Sequence, residues 1–357
     1  MASRLGAKLL RTRGQCFSWL HAAGLLKARL ARHSGCPVAV LAYHGVSDAP
    51  HALFTSRGRF AEHLEFLSSV GSVISLDRLL ESAITVGSNR KSGLRFVLTF
   101  DDGYQNVVRN AAPLLRAFQM AAHVYVCPQW IDEAARPWWF LLASSVTEGE
   151  PLRLALTKKG ICEDRDFLTD GPDALPMRAI DKLLAAVSQE ELPALLRSGF
   201  HPHPPVAVGQ VDETSLATWA ELNGAADVLH VGSHTEHHTI LGLCRDQVFM
   251  HQEVIGARRR IEEMTARPCR HFAYPRGRIG DFDARTRAAV EAAGHRTAVT
   301  MREGMAHPPL DFLAIPRFYV GETPVAELAA TLSGIQQAWD RTVDIGRRLL
   351  GRAGEAV

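Results

Sequence analysis

Two adjacent carboxylates, Asp101 and Asp102, directly follow the apolar run Leu94–Phe100. Continuous hydrophobicity over this length predicts a strand buried on both faces, and parallel α/β folds place their chemistry at the carboxyl ends of such strands. Gly103 follows and permits a backbone turn, so both carboxylates can reach one pocket. The alternative interpretation is that the two aspartates lie in a loop and cap the helix expected over residues 106–118, because Asp is a favoured N-cap.

Three histidines, His234, His237 and His238, form a second cluster after the short apolar run Asp227–Val231. Spacings of three or four residues bring side chains to one face, and imidazoles beside a carboxylate suit a divalent metal. Two imidazoles and one carboxylate leave positions open for water, as in catalytic sites. The zincin motif needs Glu directly after the first His, whereas Glu236 is two places on. Isolated surface or core histidines are the alternative.

A third candidate is His44, which follows the strand expected at Val38–Tyr43 and precedes Gly45. A histidine at a strand end can act as a general acid or base.

The stretches Thr99–Tyr104 and His234-Thr235-x-x-His238 resemble the first two motifs of the polysaccharide deacetylases, the NodB-homology or carbohydrate esterase family 4 domain. The resemblance runs from about Val38 to about Val320. It implies a distorted (β/α)7 barrel with a metal at the carboxyl ends of the strands. Carried over to this chain, it makes Asp102, His234 and His238 the metal ligands and Asp101 the general base. Zinc is the expected ion, and the same ligands also accept iron, cobalt or nickel.

This chain departs from the usual family pattern in two places. Ala273 stands where the third motif has an arginine, and no Leu-x-His follows residue 300. Both departures match a branch that includes exopolysaccharide and poly-N-acetylglucosamine deacetylases, in which the acid histidine lies on the first strand. The resemblance then implies that His44 is the acid and that Arg317 orients the aspartate; a structural ion pair is the alternative for Arg317.

The matching motifs also imply three substrate-binding residues, namely Tyr104, which would act through its backbone N–H, Tyr274 and Pro275. The expected function is metal-dependent removal of N-acetyl groups from amino-sugar residues of a polysaccharide, oligosaccharide or glycolipid. Two alternatives are a non-catalytic carbohydrate-binding relative and an amidohydrolase that acts on another amide. The complete set of candidate acid, base and ligands argues against the first alternative, because binding alone needs no base.

Alternating strands and helices predict that residues 36–325 form the barrel. The alternation lapses at about 138–220, which predicts a helical insertion whose aromatic residues either enter the core or form a sugar-stacking wall. Residues 326–357 are expected to be a helical tail.

Residues 1–35 combine basic and apolar residues without an acidic one. A basic amphipathic helix lying on an anionic membrane surface, or on the barrel itself, fits this pattern better than a signal peptide, because no A-x-A site follows. A solvated leader helix is the third interpretation. We therefore expect a location in the cytoplasm or at the membrane periphery, with secretion left open.

Composition narrows the function classes. In 357 residues the hydrophobic content is 46%, the charged content is 22% and the formal net charge is +2. This balance is ordinary for a globular enzyme and gives no electrostatic argument for a nucleic-acid partner. Six cysteines without C-x-x-C spacing predict reduced thiols or core residues. No apolar run approaches the length of a membrane span.

Overall fold

The apolar run that ends at the two carboxylates forms the central strand of a parallel sheet. The computed structural model describes residues 13–31, 37–84, 93–143, 149–169, 174–198 and 212–341. Strand β5 (Leu94–Phe100) is buried except for half-buried Arg95, and it pairs with β1 (Val38–Tyr43) on one side and β6 (Ala122–Val126) on the other. The other strands are β2 (Gly45–Val46), β3 (Phe54–Thr55), β4 (Gly71–Val73), β7 (Leu229–Ser233), β8 (His271–Ala273), β9 (Thr297–Val299) and β10 (Arg317–Tyr319).

Seven strands in the order β10-β1-β5-β6-β7-β8-β9 make the barrel wall, and β4 pairs with the first half of β5. The two outer strands nearly meet, because Val299 in β9 forms a parallel bridge to Ile315, just before β10. The Ile315 N–H donates to the carbonyl of Ala298 at 2.9 Å. The expected distorted (β/α)7 barrel is therefore confirmed, and its distortion lies at this short seam.

Helices surround the wall. Their bounds are α1 (Leu25–Ala31), α2 (Arg57–Val70), α3 (Leu76–Ile84), α4 (Ala112–Ala117), α5 (Pro128–Asp132), α6 (Trp138–Leu141), α7 (Glu150–Lys158), α8 (Met177–Ala186), α9 (Leu192–Ser198), α10 (Trp219–Gly224), α11 (Gln247–Thr265), α12 (Ala284–Ala292) and α13 (Val325–Leu332). A π-helical turn, Val107–Ala111, precedes α4, in place of the regular helix predicted there.

The helical insertion lies between β6 and β7, which pair directly with each other. Helices α6, α7, α8 and α9 lie in this stretch, which is helical as the sequence predicts. Parts of the predicted insertion, residues 144–148, 170–173 and 199–211, lie outside the described residues.

The described part of the N-terminal segment lies on the barrel. Residues 13–22 and α1 are helical, and Phe17, Leu26 and Leu30 are fully buried in the main core. The Arg29 Nε donates to the carbonyl of Ser333 at 2.8 Å. Residues 1–12 and 32–36 of the predicted segment, and 342–357 of the predicted tail, lie outside the described residues.

The thiols of the five described cysteines are free; they are Cys16, Cys127, Cys162, Cys244 and Cys269. Among the residues that the structure describes, no helix has the length and apolar character needed to cross a membrane.

Candidate metal centre and active site

The turn after β5 brings the two carboxylates into one pocket. Asp102 has a left-handed backbone (φ 70°), and Gly103 follows with φ 80°. A Cβ added to Gly103 would lie 2.8 Å from Cγ1 of Val126, so a larger residue does not fit there. The sequence predicts the turn at Gly103, whereas the structure shows that Asp102 also has a left-handed backbone. This conformation is uncommon for residues other than glycine and recurs at functional sites.

Three predicted ligands converge at this turn. The Oδ1 atom of Asp102 lies 3.7 Å from Nε2 of His234 and 3.6 Å from Nε2 of His238. Potential ligand atoms of the three residues all lie within 4.8 Å of one another. The Nδ1 of His234 is 2.8 Å from the carbonyl oxygen of Ala273, which can only accept, so Nδ1 carries the proton and Nε2 keeps a lone pair.

The charges and burial of this group fit a divalent cation. Asp102 is 1% exposed, and its Oδ1 has no hydrogen-bond partner among the described residues. Burial and the neighbouring charge of Asp101 raise the pKa of Asp102 well above its ordinary value. A cation bound here would supply the missing partner and favour the ionised carboxylate, and two imidazoles with one carboxylate are a suitable donor set.

Two tryptophans fix the ring of His238. The indole of Trp130 stacks on it at a centroid distance of 5.5 Å with an angle of 13°, and Trp139 meets it edge-on at 4.9 Å. Trp139 lies on α6 in the insertion, and it lines the cavity described below. The sequence does not identify Trp130 as a site residue, because a tryptophan next to an apolar strand is typical of a protein core.

Asp101 forms an ion pair with an arginine, Arg317. The guanidinium of Arg317 donates to both carboxylate oxygens of Asp101, at 2.7 and 2.8 Å, and its Nε donates to the Thr300 carbonyl at 3.0 Å. Burial would raise the pKa of Asp101, but fully buried Arg317 holds it well below its ordinary value. Asp101 is therefore ionised, and neither carboxylate caps the following helix.

The structure brings His44 to the same cavity. Its Nδ1 is buried without a hydrogen-bond partner in the described part of the chain, and its ring meets Tyr319 edge-on at 5.7 Å. Burial lowers the pKa of His44 to about 4. The neutral imidazole is therefore favoured at pH 7, and the acid role that the family resemblance implies for His44 stays a prediction.

His237 lies apart from the three ligands, as expected. Its Nδ1 is 2.7 Å from Oε1 of Glu253, and its backbone N–H donates to Oε2 of the same carboxylate at 3.1 Å. Glu253 is 2% exposed on α11, so this contact anchors the loop that carries the ligands.

None of the three predicted substrate-binding side chains lines the cavity. The Tyr274 side chain is 1% exposed, stacks on Phe282 at 4.7 Å and donates its hydroxyl to the Leu313 carbonyl at 3.1 Å. Tyr104 is fully buried against Phe54, at 5.1 Å. Pro275 is buried as well and is not among the lining residues. These side chains fill the core, and for Tyr104 only the predicted role of the backbone N–H stays open.

The candidate catalytic residues open onto a cavity of about 500 Å³. His44, Asp101, Asp102, His234 and His238 form one part of its lining. Much of the remaining lining comes from α6, α8 and α9, so the insertion covers the active-site mouth.

Comparisons with known proteins agree with this architecture. A family model described as polysaccharide deacetylase matches residues 89–154 and 208–298. No curated protein sequence matches this chain significantly.

Several solved structures share the fold. Deacetylase PplD of Streptococcus pyogenes, solved with acetate, is 14% identical with a TM-score of 0.55, over 84% of this chain and 99% of its own. IcaB of Ammonifex degensii is 18% identical with a TM-score of 0.54, over 84% and 98%. The BpsB deacetylase domain of Bordetella bronchiseptica is 16% identical with a TM-score of 0.50, over 81% and 97%. At these identities, the likeness is one of fold.

Proposed function

Because this chain carries a domain of the polysaccharide deacetylase family, whose members are de-N-acetylases, we propose that it removes N-acetyl groups from amino-sugar residues of a polysaccharide, oligosaccharide or glycolipid. The observation that carries the proposal is the convergence of Asp102, His234 and His238 beside the ion pair of Asp101 with Arg317. The two aspartates and the two histidines line one cavity.

Asp102, His234 and His238 would hold the divalent ion, for which we propose zinc. When bound, such an ion polarises an acyl carbonyl and lowers the pKa of water. The protein prepares the three side chains for this role through the Ala273 carbonyl, which fixes the tautomer of His234, and through the indole rings that hold His238.

Asp101 is the proposed general base. Its carboxylate is ionised because Arg317 compensates for its burial, and it can accept the proton that the attacking water loses. Arg317 is a positioning residue in this scheme, since its two parallel hydrogen bonds fix the orientation of the carboxylate.

His44 is the proposed acid for the departing amine. Because its pKa is about 4, the proton that it delivers must be one that it takes up during turnover. An amine leaves poorly unless it is protonated, so this transfer is as necessary as proton removal by Asp101.

Acetate release from a panel of N-acetylated oligosaccharides, measured with the metal-loaded protein, tests this function. We expect release from at least one amino-sugar substrate and its loss after chelation of the metal. Binding of the glycans without acetate release would favour the carbohydrate-binding alternative, and release only from other amides would favour the amidohydrolase alternative.

A further inference from the structure

The wall that the insertion contributes to the active-site cavity is mostly apolar, with Asp181 on α8 and Gln189 as its polar members. Ile180 and Leu184 lie one helical turn apart on α8, Met177 begins the same helix, and Leu192 begins α9; all four line the cavity. Aliphatic side chains offer no partner to the hydroxyl groups of a glycan, and a hydroxyl buried without a partner costs free energy. This wall therefore suits a hydrocarbon group.

One buried donor in the same wall has no acceptor. Gln189 is 2% exposed and lines the cavity, and its Oε1 accepts a hydrogen bond from the Ile240 N–H at 2.8 Å. That bond fixes the orientation of the amide, and Nε2 is left without a partner among the described residues. Because an unpaired buried donor is costly, a ligand oxygen is its natural partner.

The lining also carries positive charge. Arg276 and Arg278 both line the cavity, and Arg276 has a left-handed backbone (φ 58°). Asp281 partly compensates Arg276, with 3.9 Å between Oδ2 and Nε, whereas the side chain of Arg278 has no carboxylate partner in the described residues. Apart from the two catalytic-site carboxylates, Asp181 is the one acidic side chain in the described lining. Arginine pairs favour phosphate oxygens.

We propose that this cavity binds an amino sugar joined through phosphate to a hydrocarbon chain. The N-acetyl group lies at Asp102, His234 and His238, the phosphate lies at Arg276 and Arg278, and the chain lies on the apolar wall of α8 and α9. This inference rests on the proposed deacetylation and specifies its substrate as lipid-linked rather than polymeric.

The test is acetate release from three series of compounds, all kept below their critical micelle concentrations. The first is N-acetylglucosamine 1-phosphate and its alkyl phosphodiesters of increasing chain length. The second is the matching uncharged alkyl N-acetylglucosaminides, and the third is N-acetylglucosamine oligosaccharides. We expect kcat/KM to rise about fourfold for each methylene that the wall buries, until the wall is covered.

Substitutions test whether the dependence of kcat/KM on chain length comes from the wall formed by α8 and α9. Met177→Gln and Leu184→Gln should flatten the dependence on chain length; Met177 is 48% exposed, so its variant should fold normally. Leu154→Gln on α7 is the matched control, because Leu154 is 51% exposed and does not line the cavity. Arg278→Gln should lower kcat/KM about tenfold more for the phosphodiesters than for the uncharged glycosides.

Equal rates with and without the alkyl chain, or highest rates on the oligosaccharides, would overturn the lipid-linked substrate while keeping deacetylation. Absence of acetate release from all three series would instead count against the proposed function.

Discussion

Asp101 and Asp102 are neighbours in the sequence and are both buried, yet their surroundings shift their pKa values in opposite directions. Arg317 keeps Asp101 ionised, whereas burial and the charge of Asp101 raise the pKa of Asp102. Two carboxylates whose environments differ in this way are suited to different tasks. In the proposed mechanism, this difference separates a proton acceptor, Asp101, from a metal ligand, Asp102.

Asp101→Asn tests the proton acceptor. The amide keeps the shape of the side chain but cannot take a proton, so kcat should fall by roughly 10²–10⁴-fold. Metal content, measured by atomic absorption, should equal that of the wild-type protein. Turnover near the wild-type rate would remove the general-base role from Asp101.

Replacing the ligands one at a time tests the metal centre. Asp102→Ala, His234→Ala and His238→Ala should each lower the bound metal and abolish activity, because each removes one of three donors. His237→Ala is the matched control, since His237 binds Glu253 and its backbone N–H contact survives the substitution. Loss of metal from the control, with retention in His238→Ala, would contradict the assignment.

At the scale of elements, the short helix α5 holds Trp130 against the ring of His238. Its last residue, Asp132, accepts from Nε1 of Trp219 at 2.7 Å and from Nε of Arg260 at 2.7 Å. These contacts tie α5 to α10 and to α11. Burial would raise the pKa of Asp132, but the bonds from Arg260 and Trp219 outweigh burial and lower it.

A depressed carboxyl pKa gives stability that depends on pH in a defined way. Asp132→Asn should lower the free energy of unfolding by about 1 kcal/mol at pH 6, measured by urea denaturation. The wild-type advantage is complete above the ordinary Asp value of ~3.9 and disappears as the pH falls through the lower folded-state pKa. An advantage that does not change between pH 6 and pH 3 would refute this origin.

The sequence predicts those parts of the site that follow from strand order. Asp101 and His44 each directly follow a strand, and parallel strands bring their carboxyl ends to one rim. Arg317 instead begins β10, and its long side chain reaches Asp101 from there. The roles of Trp130 and Gln189 could not be predicted in this way. Gln189 lies in the insertion and Trp130 on α5 just before it, and the position of both residues at the rim depends on tertiary packing that no local pattern encodes. For Tyr274, the sequence motif predicts a substrate-binding side chain, whereas this side chain packs in the core.

At the scale of the whole molecule, the two N-terminal helical segments pack on the barrel through a few apolar residues. Leu26→Ala should lower the free energy of unfolding by about 2–5 kcal/mol, since Leu26 is fully buried. Leu25→Ala is the neighbouring control; Leu25 is 49% exposed, and its change should stay within about 0.5 kcal/mol. Equal effects of the two variants in urea denaturation would argue against this packing.

The ion pair between Arg317 and Asp101 joins residues 216 positions apart. During translation, the chain through β9 can leave the ribosome before Arg317, so Asp101 still lacks its arginine partner. The incomplete barrel then contains a carboxylate without a positive partner. Because burying an unpaired charge is costly, this barrel should stay open and hydrated until residue 317 emerges. The arrival of one late arginine would thus complete the barrel and compensate the charge of the proposed general base in the same step, so the proposed activity would require a nearly finished chain.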